Sequence, residues 1–267
     1  MTLLRQNIFF IKIFSTLFIL VNLFNITSCE TSENVIAIDS LQNGNLVFYN
    51  NSQNKLWAHR ANTIEELQTF TQEFAGVEFD VVFAEGTTFF DIRHDVADPV
   101  SNIDLVTYFG SLEKPNKFYY WIDFKNLNQN NVQNALDRLN YVLTKFDLYE
   151  NVIVESWDYL ALSVLAEAGI FTCYWIPHFE YTVEDLQNPQ NEQYLYISNI
   201  LKMNKFNAIS AHYTMLDFMK TFFPETPLHI WTNGLYTEED KLIIEEMANT
   251  PNLKVILVDY PENFLVP

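Results

Sequence analysis

A single (β/α)8 barrel, the TIM-type architecture of the α/β class, is what this sequence predicts, on three observations. Short apolar runs alternate with helical patterns along the chain from residue 55 onward, which indicates successive parallel βα units. About eight such units fit into the stretch that ends at residue 267, the number a closed barrel needs. No glycine-rich phosphate loop follows any run, which disfavours the rival doubly wound open sheet. With 49% hydrophobic residues the chain can bury one large core, and general disorder is excluded.

The runs read as strands cover residues 55–59, 77–83, 88–94, 118–125, 152–155, 170–175, 208–210, 228–232 and 254–259. That is nine against the eight of a barrel, so one of them is spurious or stands outside it. Helical patterns fall at 63–74, 129–146, 159–168, 215–222 and 238–248. The first opens on Thr63 with Glu66 three residues on, the signature of a capping box. Internal repeats and a second folded domain are not evident.

The first 29 residues stand apart. Arg5 and Lys12 are their only charges, residues 8–26 are almost wholly apolar, and Ile26-Thr27-Ser28-Cys29 precedes polar Glu30-Thr31-Ser32-Glu33. A basic start, an apolar middle and small residues before a cut site describe a secretory signal. The ending resembles a bacterial lipobox, which implies lipidation of Cys29 and attachment to the membrane through that lipid. An uncleaved anchor and an ordinary signal peptide are the alternatives, and all three place the domain outside the cytoplasm. The expected layout is a lipoprotein signal at 1–29, an Asn-, Ser- and Gln-rich tether at 30–54 and the barrel at 55–267. Cys173 is then the one remaining thiol, too few for an internal disulfide, and its apolar surroundings suggest a buried hydrophobe. The net charge of −19 excludes a nucleic-acid backbone as partner but not a small phosphorylated substrate held beside a cation.

Side chains alternate along a strand. In residues 77–83, Val77, Phe79, Val81 and Phe83 share one face while Glu78 and Asp80 share the other. In a barrel the carboxylates would point inward, where their mutual repulsion is relieved by a divalent cation. Asp123 and Lys125 share the corresponding face of residues 118–125, a third potential ligand beside a cation that can hold phosphate or pair with the acids. His59 and His94 close their runs and suit acid–base work near neutral pH. Of the remaining histidines, His212 falls at a plausible rim position, while His178 and His229 read as structural. Glu155 and Trp157 close the fifth run and can face the same pocket.

In that order and spacing, His59-Arg60, Glu78-x-Asp80, His94-Asp95, Asp123-x-Lys125, Trp231-Thr232-Asn233 and Val258-Asp259-Tyr260-Pro261 resemble the glycerophosphodiester phosphodiesterase family of the phospholipase-C-like superfamily. The resemblance spans about residues 55–265. It implies hydrolysis of a small phosphodiester, a glycerophosphodiester or related phospholipid head group, at the barrel mouth. One Ca²⁺ or Mg²⁺ would be held by Glu78, Asp80 and Asp123, with His59 and His94 as acid and base. Arg60 and Lys125 would stabilise the phosphoryl charge, and Trp231 would form an apolar wall.

The sequence departs from the family at two places. Ala61-Asn62-Thr63 runs straight into the helix where the family has Gly and a longer loop, and Asp123 stands where it has Glu. The short turn and Trp121-Ile122-Asp123-Phe124-Lys125-Asn126 also resemble menorin-type proteins of the same superfamily. Two other functions remain open at this stage. One is a non-catalytic lipoprotein of the same fold that binds a phosphorylated or glycan ligand. The other is a sugar-cleaving enzyme with Glu78 and Asp123 as its carboxylate pair.

Overall fold

The structure is a computed structural model that describes residues 55–84, 89–235 and 237–259. The signal segment, Cys29 and the tether lie outside the described residues, as do Tyr260 and Pro261 of the last motif. Among the described residues no helix is long and apolar enough to cross a membrane.

Among the described residues nine strands form one sheet: β1 (Leu56–Ala58), β2 (Gly76–Phe83), β3 (Phe90–Ile92), β4 (Tyr119–Phe124), β5 (Val152–Ser156), β6 (Thr172–Trp175), β7 (Ala208–His212), β8 (Leu228–Trp231) and β9 (Leu253–Val258). Their order is β1-β9-β8-β7-β6-β5-β4-β2, closed by a parallel β1–β2 pairing. Eight parallel strands therefore make a closed barrel, as the alternation of patterns predicts. The surplus ninth strand is β3, which pairs antiparallel with the far end of β2, with Val81 opposite Ile92 and Phe83 opposite Phe90.

The helices are α1 (Ile64–Phe70), α2 (Leu105–Gly110), α3 (Val132–Phe146), α4 (Tyr159–Glu167), α5 (Val183–Gln187), α6 (Glu192–Met203), α7 (Leu216–Phe222) and α8 (Glu238–Ala248). Thr63 and Glu66 form the expected capping box at the start of α1. Sequence reading missed α2, α5 and α6. The first two are 6 and 5 residues long, too short for a 3.6-residue period to show. The third carries Tyr194, Ile197 and Ile200 at helical spacing, with Ile197 and Ile200 buried, so its signal was present.

The barrel wall divides the core in two. Val77, Phe79, Val81, Tyr120, Ile122, Val154 and Ile230 pack outward under the helices. Trp57, Trp121, Ile153, Phe171, Cys173, Ala208, Val255 and Leu257 fill the interior. Alternation along each strand thus fixes what points into the barrel, and Glu78, Asp80 and Asp123 are on the inward parity. Cys173 is buried and unbridged, in keeping with its apolar surroundings. His229 lies in the interior against Trp121, ring centroids 5.1 Å apart, and burial pushes its imidazole down to about 3, so it is neutral.

Candidate active site

Strand β1 ends at Ala58, and the next two residues enter the site. His59 Nδ1 lies 2.6 Å from Asp259 Oδ1. An ionised carboxylate only accepts, so Nδ1–H donates and the ring presents Nε2 inward, 3.7 Å from Glu78 Oε2. Burial alone would raise Asp259, but the bond from His59 and the charges of His59 and Arg60 hold it below the usual carboxylate range. Arg60 takes a left-handed backbone, φ 62°, uncommon for a residue with a Cβ. That turn aims its backbone N–H at Glu78 Oε2, 2.8 Å away. It also lets Ala61 N–H donate to the Glu78 carbonyl at 2.8 Å, while the exposed Arg60 side chain lines the cavity.

Asn62 is a site residue that sequence reasoning passed over. Its amide donates to Asp80 Oδ2 at 2.6 Å and its carbonyl accepts from the Asp80 backbone N–H at 2.9 Å. The short turn after Arg60 brings it there, in the stretch where the sequence lacks the longer loop.

Strand β3 has a clear purpose in this arrangement. β1 meets β2 only at Ala58–Val77, leaving the upper edge of β2 to β3, which runs back toward the barrel. Arg93 N–H donates to the Asp80 carbonyl at 3.2 Å, and His94 Nδ1 comes to 3.0 Å from Asp80 Oδ2. His94 therefore reaches the mouth from an antiparallel return strand, not from a barrel strand of its own. Buried Asp91 ties down the loop beyond, accepting from Ser101 Oγ at 2.9 Å and Asn102 N–H at 3.0 Å, with Arg93 Nε 3.2 Å away.

Glu78, Asp80 and Asp123 each offer one oxygen, and these oxygens lie within 4.8 Å of one another. Lys125 Nζ bridges two of the three acids, 2.6 Å from Asp80 Oδ1 and in contact with Asp123 Oδ2. Burial, then the neighbouring charges of Asp80 and Asp123, push Glu78 well up. Burial raises Asp123 as well, against the pull of Lys125. Lys125 would be lowered by its own burial, but Asp123 and Asp80 raise it above the usual lysine range. With all groups charged, three carboxylates less one ammonium leave two negative charges, the deficit that one divalent cation neutralises. Asp123 Oδ1 is buried with no protein partner, a free ligand atom in that cluster. The acidic cluster can therefore hold a metal.

Glu155, at the end of β5 and in register with Asp123, lines the same cavity. It accepts from Trp121 Nε1–H at 3.0 Å and from Ser210 Oγ–H. Burial, then the charge of Asp123, raises it well above the ordinary range. The cavity has a volume of about 170 Å³, and its outer wall is Trp175 and Trp231, edge to face at 5.6 Å, with Asn233. His178 and His212 stand outside it, both within hydrogen-bond distance of Thr214 Oγ1. Burial and then His178 lower His212. Trp157 is not in the cavity wall.

Fold and site together define a (β/α)8 barrel with an inward acidic cluster flanked by two carboxylate-bonded histidines. No protein-family model matches the chain, and no curated protein matches it in sequence. Solved structures do match in fold. A glycerophosphodiester phosphodiesterase from Parabacteroides distasonis superposes with a TM-score of 0.58 at 15% identity, over 76% of this chain and 92% of that one. A phosphodiesterase from Oleispira antarctica, solved with the product sn-glycerol-3-phosphate, gives 0.53 at 13%, over 76% and 92%. A glycerophosphodiester phosphodiesterase from Agrobacterium tumefaciens gives 0.51 at 12%, over 78% and 96%. This chain shares the barrel fold of those enzymes.

Proposed function

We propose that this protein hydrolyses a small phosphodiester, a glycerophosphodiester or related phospholipid head group, with the help of one divalent cation, Ca²⁺ or Mg²⁺. The observation that carries the reading is the convergence of Glu78, Asp80 and Asp123 between two histidines whose Nδ1 atoms are each engaged by a carboxylate. The fold shared with phosphodiesterases, one of them solved with a glycerol phosphate product, supports it.

Bound at Glu78, Asp80 and Asp123, the cation supplies Lewis-acid polarisation of a phosphoryl oxygen. The protein's own groups do the rest. His59 is the enclosed imidazole, and with Nδ1–H committed to Asp259 its Nε2 is left as acceptor. It takes a proton from the attacking water as the new P–O bond forms. His94 is half exposed, its side chain 52% accessible, and its Nδ1–H is held by Asp80. From Nε2–H it gives a proton to the alcohol oxygen as the old P–O bond breaks. Arg60 at the rim stabilises charge on the non-bridging oxygens, and Lys125 offsets the acid cluster while contributing to the same field. Trp231 with Trp175 forms the apolar wall beside the glycerol moiety.

The test is release of choline and glycerol 3-phosphate from glycerophosphocholine by purified protein. Activity is expected to vanish with EDTA, to return with Ca²⁺ or Mg²⁺, and to fall at least about a hundredfold in His59→Ala and His94→Ala. Turnover that survives complete metal removal would defeat the proposal. Metal-dependent binding of glycerophosphocholine without turnover would favour the non-catalytic binding protein instead. Export and lipidation at Cys29 remain part of the same proposal, and metabolic labelling with palmitate in wild type against Cys29→Ala tests them.

A further inference from the structure

Glu155 lines the acidic cavity yet is only 3% exposed, and the hydrolysis described above gives it no task. Two interior donors hold it from different strands, Trp121 Nε1–H of β4 at 3.0 Å and Ser210 Oγ–H of β7. So held, it stays apart from the metal ligands: among the described residues the acids close enough to share an ion are Glu78, Asp80 and Asp123. Lys125 is committed to Asp80 and Asp123. Each oxygen of a carboxylate can accept twice, so Glu155 keeps acceptor sites that its two donors do not fill. A buried acid in that condition is costly. A donor that arrives with the ligand completes it.

We infer that Glu155 is a specificity-determining residue that bonds a free hydroxyl of the glycerol moiety, so that the site selects a polyol phosphate over an alkyl phosphate. The inference rests on the phosphodiesterase reading and deepens it. Glu155 stands beside Asp123 in the neighbouring parallel strand, a step of about 4.8 Å. Once the phosphoryl group lies against the Asp123 cluster, a hydroxyl one or two carbons along the ester arm spans that step. The indoles of Trp175 and Trp231 line the same cavity and cover the carbon face of the moiety. A hydroxyl both donates and accepts, so it serves Glu155 in either protonation state, whereas an ammonium serves only the ionised one.

The experiment is calorimetric titration of Ca²⁺- or Mg²⁺-saturated protein with sn-glycerol 3-phosphate and with n-propyl phosphate, its counterpart without hydroxyls. Wild type is compared with Glu155→Gln, whose amide keeps both interior bonds by accepting from Trp121 and donating to Ser210; a thermal melt checks the fold. Wild type is expected to prefer the glycerol phosphate roughly ten- to a hundredfold. In Glu155→Gln that preference shrinks at least about fivefold, because a neutral amide bonds a hydroxyl more weakly than a carboxylate does. The lost charge acts on both phosphates alike, so the ratio of affinities isolates the hydroxyl. Equal affinities in wild type, the same preference in both proteins, or no binding of either phosphate overturns the inference and leaves the phosphodiesterase reading to its own test. Tighter binding of O-phosphoethanolamine than of glycerol phosphate, lost in Glu155→Gln, also overturns it, in favour of an ammonium. A preference that depends on Glu155 in a protein that turns over no diester sustains the hydroxyl site and defeats the catalytic reading alone.

Discussion

At the scale of single residues, the site depends on carboxylates that hold imidazoles as much as on the imidazoles themselves. Asp259 Oδ1 fixes the tautomer of His59, so Asp259→Asn should damage the reaction more than the fold. An amide can offer N–H in place of oxygen and turn the wrong ring nitrogen inward. We expect kcat to fall by roughly 10²–10⁴ with KM little changed, measured by steady-state kinetics beside a thermal melt. Unchanged kcat with a lowered melting temperature would reduce Asp259 to a structural role. The acids and histidines that meet here were legible because strand parity alone puts Glu78, Asp80 and Asp123 on inward faces. The part played by Asp259 was not: it lies 200 residues from its partner, and nothing local in Val258-Asp259-Tyr260 marks which side chain it meets. Asn62 was hidden differently, since its value comes from the left-handed turn at Arg60, a conformation that non-glycine residues do not announce.

Among elements, β1 and β2 carry most of the site, and a contact inside the barrel sets their spacing. Gly76 opens β2 against the indole of Trp57 in β1, where a Cβ would lie 2.5 Å from Trp57 Cδ2. Trp57 is 1% exposed and belongs to the interior cluster, so its ring has no room to yield. Gly76→Ala should therefore cost about 1–3 kcal/mol by overpacking, a melting temperature lower by about 2–12 °C in a domain of this size. Gly110→Ala is the control, because its Cβ would meet only Phe146 at 3.8 Å. Equal melting temperatures for the two variants would show that the β1–β2 spacing is more compliant than this packing implies. The same pair of elements shows how far pattern reading reaches. The alternation in 77–83 gives β2 its length and both faces, yet it cannot say that the strand outgrows its barrel neighbour. That overhang is what recruits β3 as the ninth strand and delivers His94.

For the whole molecule, the buried acids make stability depend on pH and on divalent ions together. Glu78, Asp123 and Glu155 are all raised, first of all by burial. The metal-free fold therefore keeps protons that the unfolded chain loses once pH exceeds the ordinary carboxylate range near about pH 4. With fewer protons bound unfolded than folded, stability falls as pH rises through that window, and the cost is complete only above the raised folded values. A divalent cation binds the deprotonated cluster, so its stabilisation should grow over the same interval. At an ion concentration about 100 times Kd the gain is about 2.7 kcal/mol, or about 5–11 °C in melting temperature. The quantity to measure is the gap between Ca²⁺- or Mg²⁺-loaded and EDTA-treated protein from pH 5 to pH 8. Contributions common to both samples, the net charge of −19 and the Asp259–His59 pair among them, largely cancel in that difference. The gap should widen with pH in the wild type and shrink at every pH in Glu78→Gln. A gap that is absent, or that narrows as pH rises, would mean that Lys125 alone balances the acids and that no cation belongs among them.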